Sequence, residues 1–225
     1  MFDIFDFESR KISKNVEQRN PYTDEFYNER LEELKERVDE KRYVHTLGVV
    51  EMSQKLCEAY DVDYKKARLA AVLHDWDKCY TDKEMKERIY VVGADALLPK
   101  EVIDKMPKLL HGATAAFALG YEFPNIPSDV LRAVINHTTA STHMSDLDMV
   151  IYIADALDPN RKYPEYEELV EQIGKVSLED LFVKTFSKAT IAVLNKGKAL
   201  HPKTGEIWNH YIEAYNKRHK KKKKS

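Results

Sequence analysis

Apolar residues recur at the spacing of helix turns along this chain from Thr23 onward. After residue 40, His45 is followed by Val49, Met52 and Leu56 at i+4, i+7 and i+11, so the imidazole shares an apolar helix face. No alternating strand pattern or hairpin turn interrupts this periodicity. The chain therefore predicts an all-α fold, with further helices over residues 24–40, 63–75, 109–119, 128–137, 146–157, 178–195 and 206–216.

Three segments begin with the pattern of a capping box, in which a hydroxyl residue precedes an acidic one by three positions. They open at Thr81, Ser145 and Ser177. Gly197 closes the last long helix, and the chain has only seven glycines and eight prolines, few for a turn-rich β protein. These signals favour helices joined by short turns.

The composition excludes two broad classes of protein. Of the 225 residues, 43% are hydrophobic and 33% charged, which is typical of a soluble globular protein rather than a disordered one. No apolar run is long enough to span a bilayer, and no signal peptide is visible near the start. Two cysteines, Cys57 and Cys79, make no disulfide framework, so we expect a cytoplasmic protein without a membrane partner.

Charge is distributed unevenly along the chain. The formal net charge is −2, but seven positive charges lie in the last nine residues, so the remainder is distinctly acidic. An acidic body is a poor binder of nucleic acid, and a lysine-rich end gives weak contact with a polyanion at most. We therefore divide the chain into a leader (1–22), a main domain (23–198), a C-terminal helix packing on it (199–216) and a basic, disordered tail (217–225).

The most informative motif is the pair His74-Asp75, which ends the alanine-rich apolar run 67–73. A neutral imidazole and a carboxylate are ligands that divalent transition metals accept. A single buried histidine is more often a hydrogen-bonded core residue, so the argument depends on several positions together. The further candidate ligands, each belonging to another predicted helix, are His45, His111, His137 and Asp155.

Asp155 strengthens the metal hypothesis. It follows the apolar run 149–154, where an uncompensated carboxylate would cost free energy that a neighbouring cation would offset. Six ligands exceed the needs of one ion, and the second oxygen of Asp75 could bridge to another. Imidazole and carboxylate ligands without thiolate suit iron, manganese, cobalt or zinc better than magnesium.

The six candidate ligands, in this order and context, resemble the signature of the HD-domain metal-dependent phosphohydrolases, in their di-metal branch. Over about residues 24–195, the chain further resembles the bacterial YqeK family of symmetrical diadenosine tetraphosphate hydrolases. The stretches that carry this closer resemblance are 41–49, 70–78, 110–112, 135–139 and 151–161.

The resemblance implies an HD-type helical bundle with a metal centre in its core. It also implies hydrolysis of diadenosine tetraphosphate (Ap4A), or a related dinucleoside polyphosphate, to two ADP by attack of a metal-activated water on phosphorus. The expected cofactor is a pair of divalent transition ions, with iron first and manganese, cobalt or zinc as alternatives. The sequence does not decide whether the protein forms a homodimer.

Two cations stand close to the candidate ligands in sequence. Lys78 comes three residues after Asp75, and Arg161 comes six residues after Asp155; either could grip a phosphate oxygen. Together with Asp75 they are the catalytic candidates. The alternative is that Lys78 and Arg161 are surface charges paired with the neighbouring carboxylates of Asp77 and Asp158.

Three further residues are candidates for substrate binding. Arg42 lies about one helical turn before His45, and Thr138 and Thr139 directly follow His137. An arginine on a helix surface and two threonines at a helix end are also common without any such role. Asp77 could orient Lys78 or a ligand histidine, or it could face solvent, and the sequence does not decide between these roles.

Other functions compete with Ap4A hydrolysis. One is a different HD phosphohydrolase, such as a nucleotidase, a triphosphohydrolase or a cyclic-dinucleotide phosphodiesterase. The last usually has a second histidine beside the position of His137, where this chain has Thr138. A different class is a catalytically silent metal or nucleotide sensor.

Overall fold

A computed structural model describes residues 19–161 and 164–222 of the chain. Within those ranges the secondary structure is helical, with no β-strand, which confirms the predicted all-α fold. The α-helices are α1 (Asp24–Arg37), α2 (Glu40–Tyr60), α3 (Tyr64–Leu73), α4 (Asp82–Val91), α5 (Lys100–Lys105), α6 (His111–Glu122), α7 (Ser128–Thr139), α8 (Asp146–Ala156), α9 (Pro164–Glu171), α10 (Leu178–Asn195) and α11 (Thr204–Lys222).

The predicted caps begin their helices. Thr81 and Ser145 each form a complete capping box, in which the hydroxyl accepts from the backbone three residues on and the acidic side chain bonds back. At Ser177 the hydroxyl accepts from the amide of Asp180, but the Asp180 carboxylate accepts from Arg218 of α11 instead. The third box is therefore half formed, because a tertiary ion pair takes its carboxylate.

The predicted helix over residues 24–40 is three residues too long at its C-terminal end. α1 ends at Arg37, and Val38 is extended, with φ −117° and ψ 162°. Asp39 then begins α2 by accepting a hydrogen bond from the amide of Arg42. The two short helices α5 and α9 were not predicted, because helices of six and eight residues are too short to show a clear apolar stripe.

The last helix continues past its predicted end at residue 216 as far as Lys222. The prediction of a disordered tail is therefore wrong for residues 217–222. Lys217 pairs with Glu213 one turn earlier, and Arg218 reaches across to Glu179 and Asp180 of α10. These ion pairs hold the basic segment in the helix. Residues 1–18 of the predicted leader and residues 223–225 lie outside the described part of the chain.

The helices that carry the candidate ligands pack closely on one another. α2 packs on α3 and α8, while α7 packs on α3, α6 and α8. The buried alanines of α3, at positions 67, 70 and 71, permit the close approach of its neighbours. A smaller apolar cluster joins α4, α5 and α6 beside this core. Over the described residues, no helix combines the length and apolar character that crossing a membrane would need.

Candidate metal centre

The six candidate ligands come together from five helices. Four of these helices contribute at an end: His74 caps α3 at its C-terminus and Asp75 follows it, while the first residue of α6 and the last turns of α7 and α8 supply the others. Only His45 lies inside a helix. All six side chains are buried except that of Asp155, which is 26% exposed.

Asp75 divides the centre into two halves. On one side, its Oδ2 lies 3.4 Å from Nε2 of His74 and 3.7 Å from Nε2 of His45, which is itself 3.0 Å from Oδ1 of Asp155. On the other side, Oδ1 of Asp75 lies 3.1 Å from Nε2 of His111 and 3.7 Å from Nε2 of His137. One carboxylate therefore faces two groups of imidazoles, in the position that a bridging ligand would take.

The tautomers of the histidines make both groups suitable for a cation. Nδ1 of His74, His111 and His137 lies 2.6 to 2.8 Å from the backbone carbonyl three residues earlier. A carbonyl only accepts, so each Nδ1 carries a proton, and Nε2 is the atom of each ring that can offer a lone pair to a cation. Nε2 of His111 and Nε2 of His137 nevertheless lie 2.9 Å apart. A cation between such lone pairs and carboxylates satisfies them all, and the residues fit a divalent metal.

At His111 and at both carboxylates, the electrostatics of the centre favour the protonation states that metal binding requires. At His45, burial is outweighed by hydrogen bonds to Asp155 and Asp158, which raise the pKa of the ring. Burial, helped by the nearby Lys78 charge, lowers the pKa of His111 to about 3, so this ring is neutral. Burial alone would raise the pKa of Asp75 and of Asp155, but the surrounding imidazoles outweigh it and hold both values below the ordinary range. Both groups are therefore carboxylates at neutral pH.

The predicted phosphate-binding cations lie on the same centre. Nη1 of Arg42 donates to Oδ2 of Asp75 at 2.6 Å. The guanidinium of Arg161 lies 3.0 Å from the backbone oxygen of Asp155 and 3.1 Å from Nε2 of His45. Burial lowers the pKa of the Lys78 ammonium, while Asp75 acts in the opposite direction. Three positive charges thus lie close to the carboxylates.

The two threonines differ in their relation to the centre. Oγ1 of Thr138 lies 3.0 Å from Nε2 of His137 and 3.2 Å from Nε2 of His111, beside the second half of the centre. Thr139 ends α7 and makes no side-chain hydrogen bond to the ligands among the described residues. The next residue, Ala140, has φ 57° and ψ −178°, a backbone conformation that a residue with a Cβ rarely adopts.

Among the described residues, Asp77 has no hydrogen bond to a candidate ligand. Its buried carboxylate is held by Nε of Arg88 at 2.6 Å and by Arg37 at 3.5 Å, so the alternative in which it faces solvent or pairs with Lys78 is wrong. Asp158, in contrast, contacts the centre directly, because its Oδ2 accepts from Nδ1 of His45 at 2.7 Å. It also lies 3.8 Å from Nε of Arg161, which agrees with the pairing given as an alternative.

The contact between Asp158 and His45 was missed by the sequence reasoning. A signal for it existed: a histidine inside a helix has no free carbonyl of its own helix to hold Nδ1, so it needs an acceptor from elsewhere. Asp158, which follows the apolar α8 and lies three residues after the candidate ligand Asp155, was one such acceptor. Its distance from residue 45 along the chain hid the contact.

The family assignment follows from the match over this region. The HD domain matches residues 42–160, a segment that contains all six candidate ligands. The chain therefore belongs to the HD-domain family of metal-dependent hydrolases.

Within the family, the chain is similar to particular curated enzymes. It is 31% identical over 176 residues to the "Bis(5'-nucleosyl)-tetraphosphatase, symmetrical" of Bacillus subtilis. The match covers 78% of this chain and 92% of that protein. The enzyme of the same name from Staphylococcus aureus is 32% identical over 178 residues, with 79% and 90% covered. These matches confirm the resemblance to the YqeK-type enzymes.

A solved structure has the same architecture. The crystal structure of a protein from Clostridium acetobutylicum, described as a predicted HD superfamily hydrolase involved in NAD metabolism, superposes with a TM-score of 0.75. The two chains are 32% identical, and the match covers 84% of this chain and 97% of the other. The arrangement of helices around the candidate centre is thus one that a related chain adopts.

Proposed function

We propose that this protein hydrolyses diadenosine tetraphosphate, or a closely related dinucleoside polyphosphate, symmetrically to two ADP. The observation that carries the proposal is the position of Asp75, which faces two groups of imidazoles while Arg42, Arg161 and Lys78 lie close to the same centre. Similarity to the symmetrical tetraphosphatases of two bacteria supports this choice of substrate.

Two divalent ions would be held by the six candidate ligands. His45, His74 and Asp155 would serve one ion, His111 and His137 the other, with Asp75 shared between them. When bound, such ions acidify a water molecule and polarise phosphoryl oxygens. The donor set lacks thiolate, which is compatible with iron, manganese, cobalt or zinc.

The cations would bind the polyphosphate chain. The side chains of Arg42 and Arg161 are about one third exposed, and that of Asp155 about one quarter, which marks the side from which substrate enters. Arg161 offers a planar fork of donors to phosphate oxygens, and Lys78 offers a point charge close to Asp75. Thr138 would orient the substrate beside the second half of the centre.

Symmetrical cleavage requires the central phosphoanhydride to lie over Asp75. Water adds its oxygen to one of the two central phosphorus atoms, the bond to the bridging oxygen breaks, and the second ADP leaves with that oxygen. Phosphoryl transfer depends mainly on position and on charge stabilisation, which the three cations would supply as negative charge develops on the leaving ADP.

We also propose that the protein works in the cytoplasm. Its cysteines, Cys57 and Cys79, are both free thiols, and this supports a reducing compartment.

Product analysis tests the proposed reaction. The purified protein is incubated with Ap4A and Mn²⁺, Fe²⁺ or Co²⁺, and ADP is resolved from AMP and ATP by ion-exchange chromatography. ADP as the sole product is expected. AMP with ATP would overturn the symmetrical cleavage, and absence of turnover with every ion would overturn the proposed function.

A further inference from the structure

One imidazole of the centre is held differently from the other three. The rings of His74, His111 and His137 donate from Nδ1 to a carbonyl three residues earlier in their own segment. Their orientation therefore comes with the local backbone. His45 lies inside α2, and its Nδ1 donates instead to Asp158, which is 113 residues away in the chain. Its orientation depends on a second element.

The Asp158 carboxylate is fixed through both of its oxygens. Oδ2 accepts from His45, while Oδ1 accepts from the backbone amide of Asn160 at 2.9 Å and from its Nδ2 at 3.1 Å. The same Nδ2 lies 3.2 Å from the carbonyl oxygen of Val44, which joins this loop to α2. Asp158 is buried, and although burial opposes it, the bond from His45 holds the pKa of its carboxyl below the ordinary value. The acceptor is thus a rigid carboxylate.

Gly48 leaves the space that the side chains of Asp158 and Asn160 occupy beside His45. A Cβ at this position would lie 1.9 Å from Oδ1 of Asp158 and 2.4 Å from Nδ2 of Asn160, distances at which atoms cannot coexist. Gly48 is buried in the interior of α2, about one turn after His45, where glycine weakens a helix. Its absence of a side chain leaves room for the loop at the point where the carboxylate meets the ring.

We propose that Asp158 is a positioning residue for His45, and that Gly48 provides the clearance that this contact needs. The carboxylate keeps the proton on Nδ1 and therefore keeps the lone pair of Nε2 directed at Asp155 and His74. Asp158 would act on the metal through the ring, without touching the substrate. This inference rests on the metal centre of the proposed function.

The variant Asp158→Asn tests the inference with little change in volume. If its amide nitrogen faces His45, the ring must accept at Nδ1 and carry its proton on Nε2, where the lone pair is needed. If the amide is turned round, its nitrogen, a donor, faces the backbone N–H and the Nδ2 of Asn160, which are also donors. Equilibrium dialysis of the full chain against Mn²⁺ is expected to show binding about 10- to 100-fold weaker than in the unmodified protein.

A second variant and a matched control make the test specific. Gly48→Ala is expected to weaken Mn²⁺ binding in the same direction, because the added methyl group displaces the Asp158 loop. The control is Asp148→Asn, which alters another buried carboxylate, at the opposite end of α8, bonded to Ser145 and Arg132. It is expected to keep the Mn²⁺ affinity of the unmodified protein.

The outcomes separate the inference from the proposed function. If the unmodified protein binds Mn²⁺ and Asp158→Asn binds it equally well with its helical circular dichroism intact, the positioning role is wrong and the metal centre stands. If the unmodified protein binds no Mn²⁺, the metal centre and the inference fail together. Weaker binding in Asp158→Asn with normal binding in Asp148→Asn supports the inference.

Discussion

At the scale of single residues, Asp75 has the largest predicted effect. Its two oxygens face different groups of imidazoles, so one side chain serves both halves of the centre. In Asp75→Asn a neutral amide replaces the shared carboxylate. We expect loss of bound metal and a fall in turnover of at least about 1,000-fold, because several kcal/mol of barrier lowering depend on the ions. Elemental analysis and ADP release measure the two effects, and full metal content in this variant would contradict the shared role.

Lys78 is expected to behave differently from the ligands. Its ammonium lies near Asp75 and Asp155, but a cation does not ligate a metal. Lys78→Ala should lower turnover about 100-fold, as removal of one positioned donor does in other enzymes, while metal content stays unchanged. The exposed Lys83 of α4 offers a matched control, since Lys83→Ala should leave both quantities as they are. Loss of metal in Lys78→Ala would show that the residue has been assigned the wrong role.

Ala140 gives a prediction about stability. Its φ of 57° and ψ of −178° lie in a region that glycine occupies freely and that costs other residues about 1–3 kcal/mol. Ala140→Gly should therefore increase the free energy of unfolding by about 1 kcal/mol, after the extra entropy of the unfolded chain is subtracted. Urea denaturation measures this change. Ala133→Gly, inside α7, should decrease the free energy of unfolding, and a decrease for both variants would show that Ala140 is not strained.

The sequence was most informative at this scale for groups whose chemistry conflicts with their surroundings. The carboxylate at the end of the apolar α8 and the imidazoles on apolar helix faces could be identified as candidate ligands, because a buried polar group needs a partner. All six lie together in the fold, and their role as ligands stays a prediction. The contact from Asp158 and the backbone of Ala140 depend on how distant segments meet, which no local pattern records.

At the scale of elements, helix ends determine the geometry of the centre. Because an imidazole at a helix end can bond to a carbonyl of its own segment, α3, α6 and α7 orient their histidines without help from elsewhere. The placement of each ring then depends on how its helix packs. α3 is the most sensitive, since its buried alanines touch several neighbouring helices.

Overpacking α3 should therefore disturb the centre from a distance. Ala70 is completely buried, and Ala70→Leu inserts three further carbon atoms between packed helices. We expect a loss of about 1–3 kcal/mol in stability and weaker Mn²⁺ binding, because His74 and Asp75 follow the end of this helix. Lys65→Leu, at an exposed position of the same helix, is the control. Normal Mn²⁺ binding in a destabilised Ala70→Leu would mean that the centre tolerates movement of α3.

Element prediction succeeded where helices have a strong apolar stripe and failed where tertiary contacts decide. The boundary between α1 and α2 comes from the cap at Asp39, so the first helix ends three residues before its predicted end at residue 40. The end of α11 was placed too early because a run of lysines predicts disorder, whereas Arg218 is held by Glu179 and Asp180. Partners of that kind are visible only once α10 and α11 lie side by side.

At the scale of the whole molecule, bound metal should contribute to stability as well as to activity. Without ions, the buried carboxylate of Asp75, the partly exposed carboxylate of Asp155 and four imidazoles face one another. Ions at about 100 times their dissociation constant should stabilise the protein by about 2.7 kcal/mol. Removal of metal with a chelator should then abolish ADP release and lower the melting temperature by about 5–10 °C. Differential scanning fluorimetry checks the shift, and an unchanged melting temperature after complete metal removal would contradict a buried centre.

The order of the ligands along the chain affects how the protein matures. His45 leaves the ribosome first and Asp155 last, with more than a hundred residues between them. At about 5–20 residues per second, synthesis of that interval takes on the order of ten seconds. During this time His45, His74 and Asp75 lack the later candidate ligands, so the proposed centre is incomplete until all five helices meet. If the six residues bind metal as proposed, loading of both ions would follow completion of the bundle, and a fully loaded centre would indicate that the chain has folded through α8.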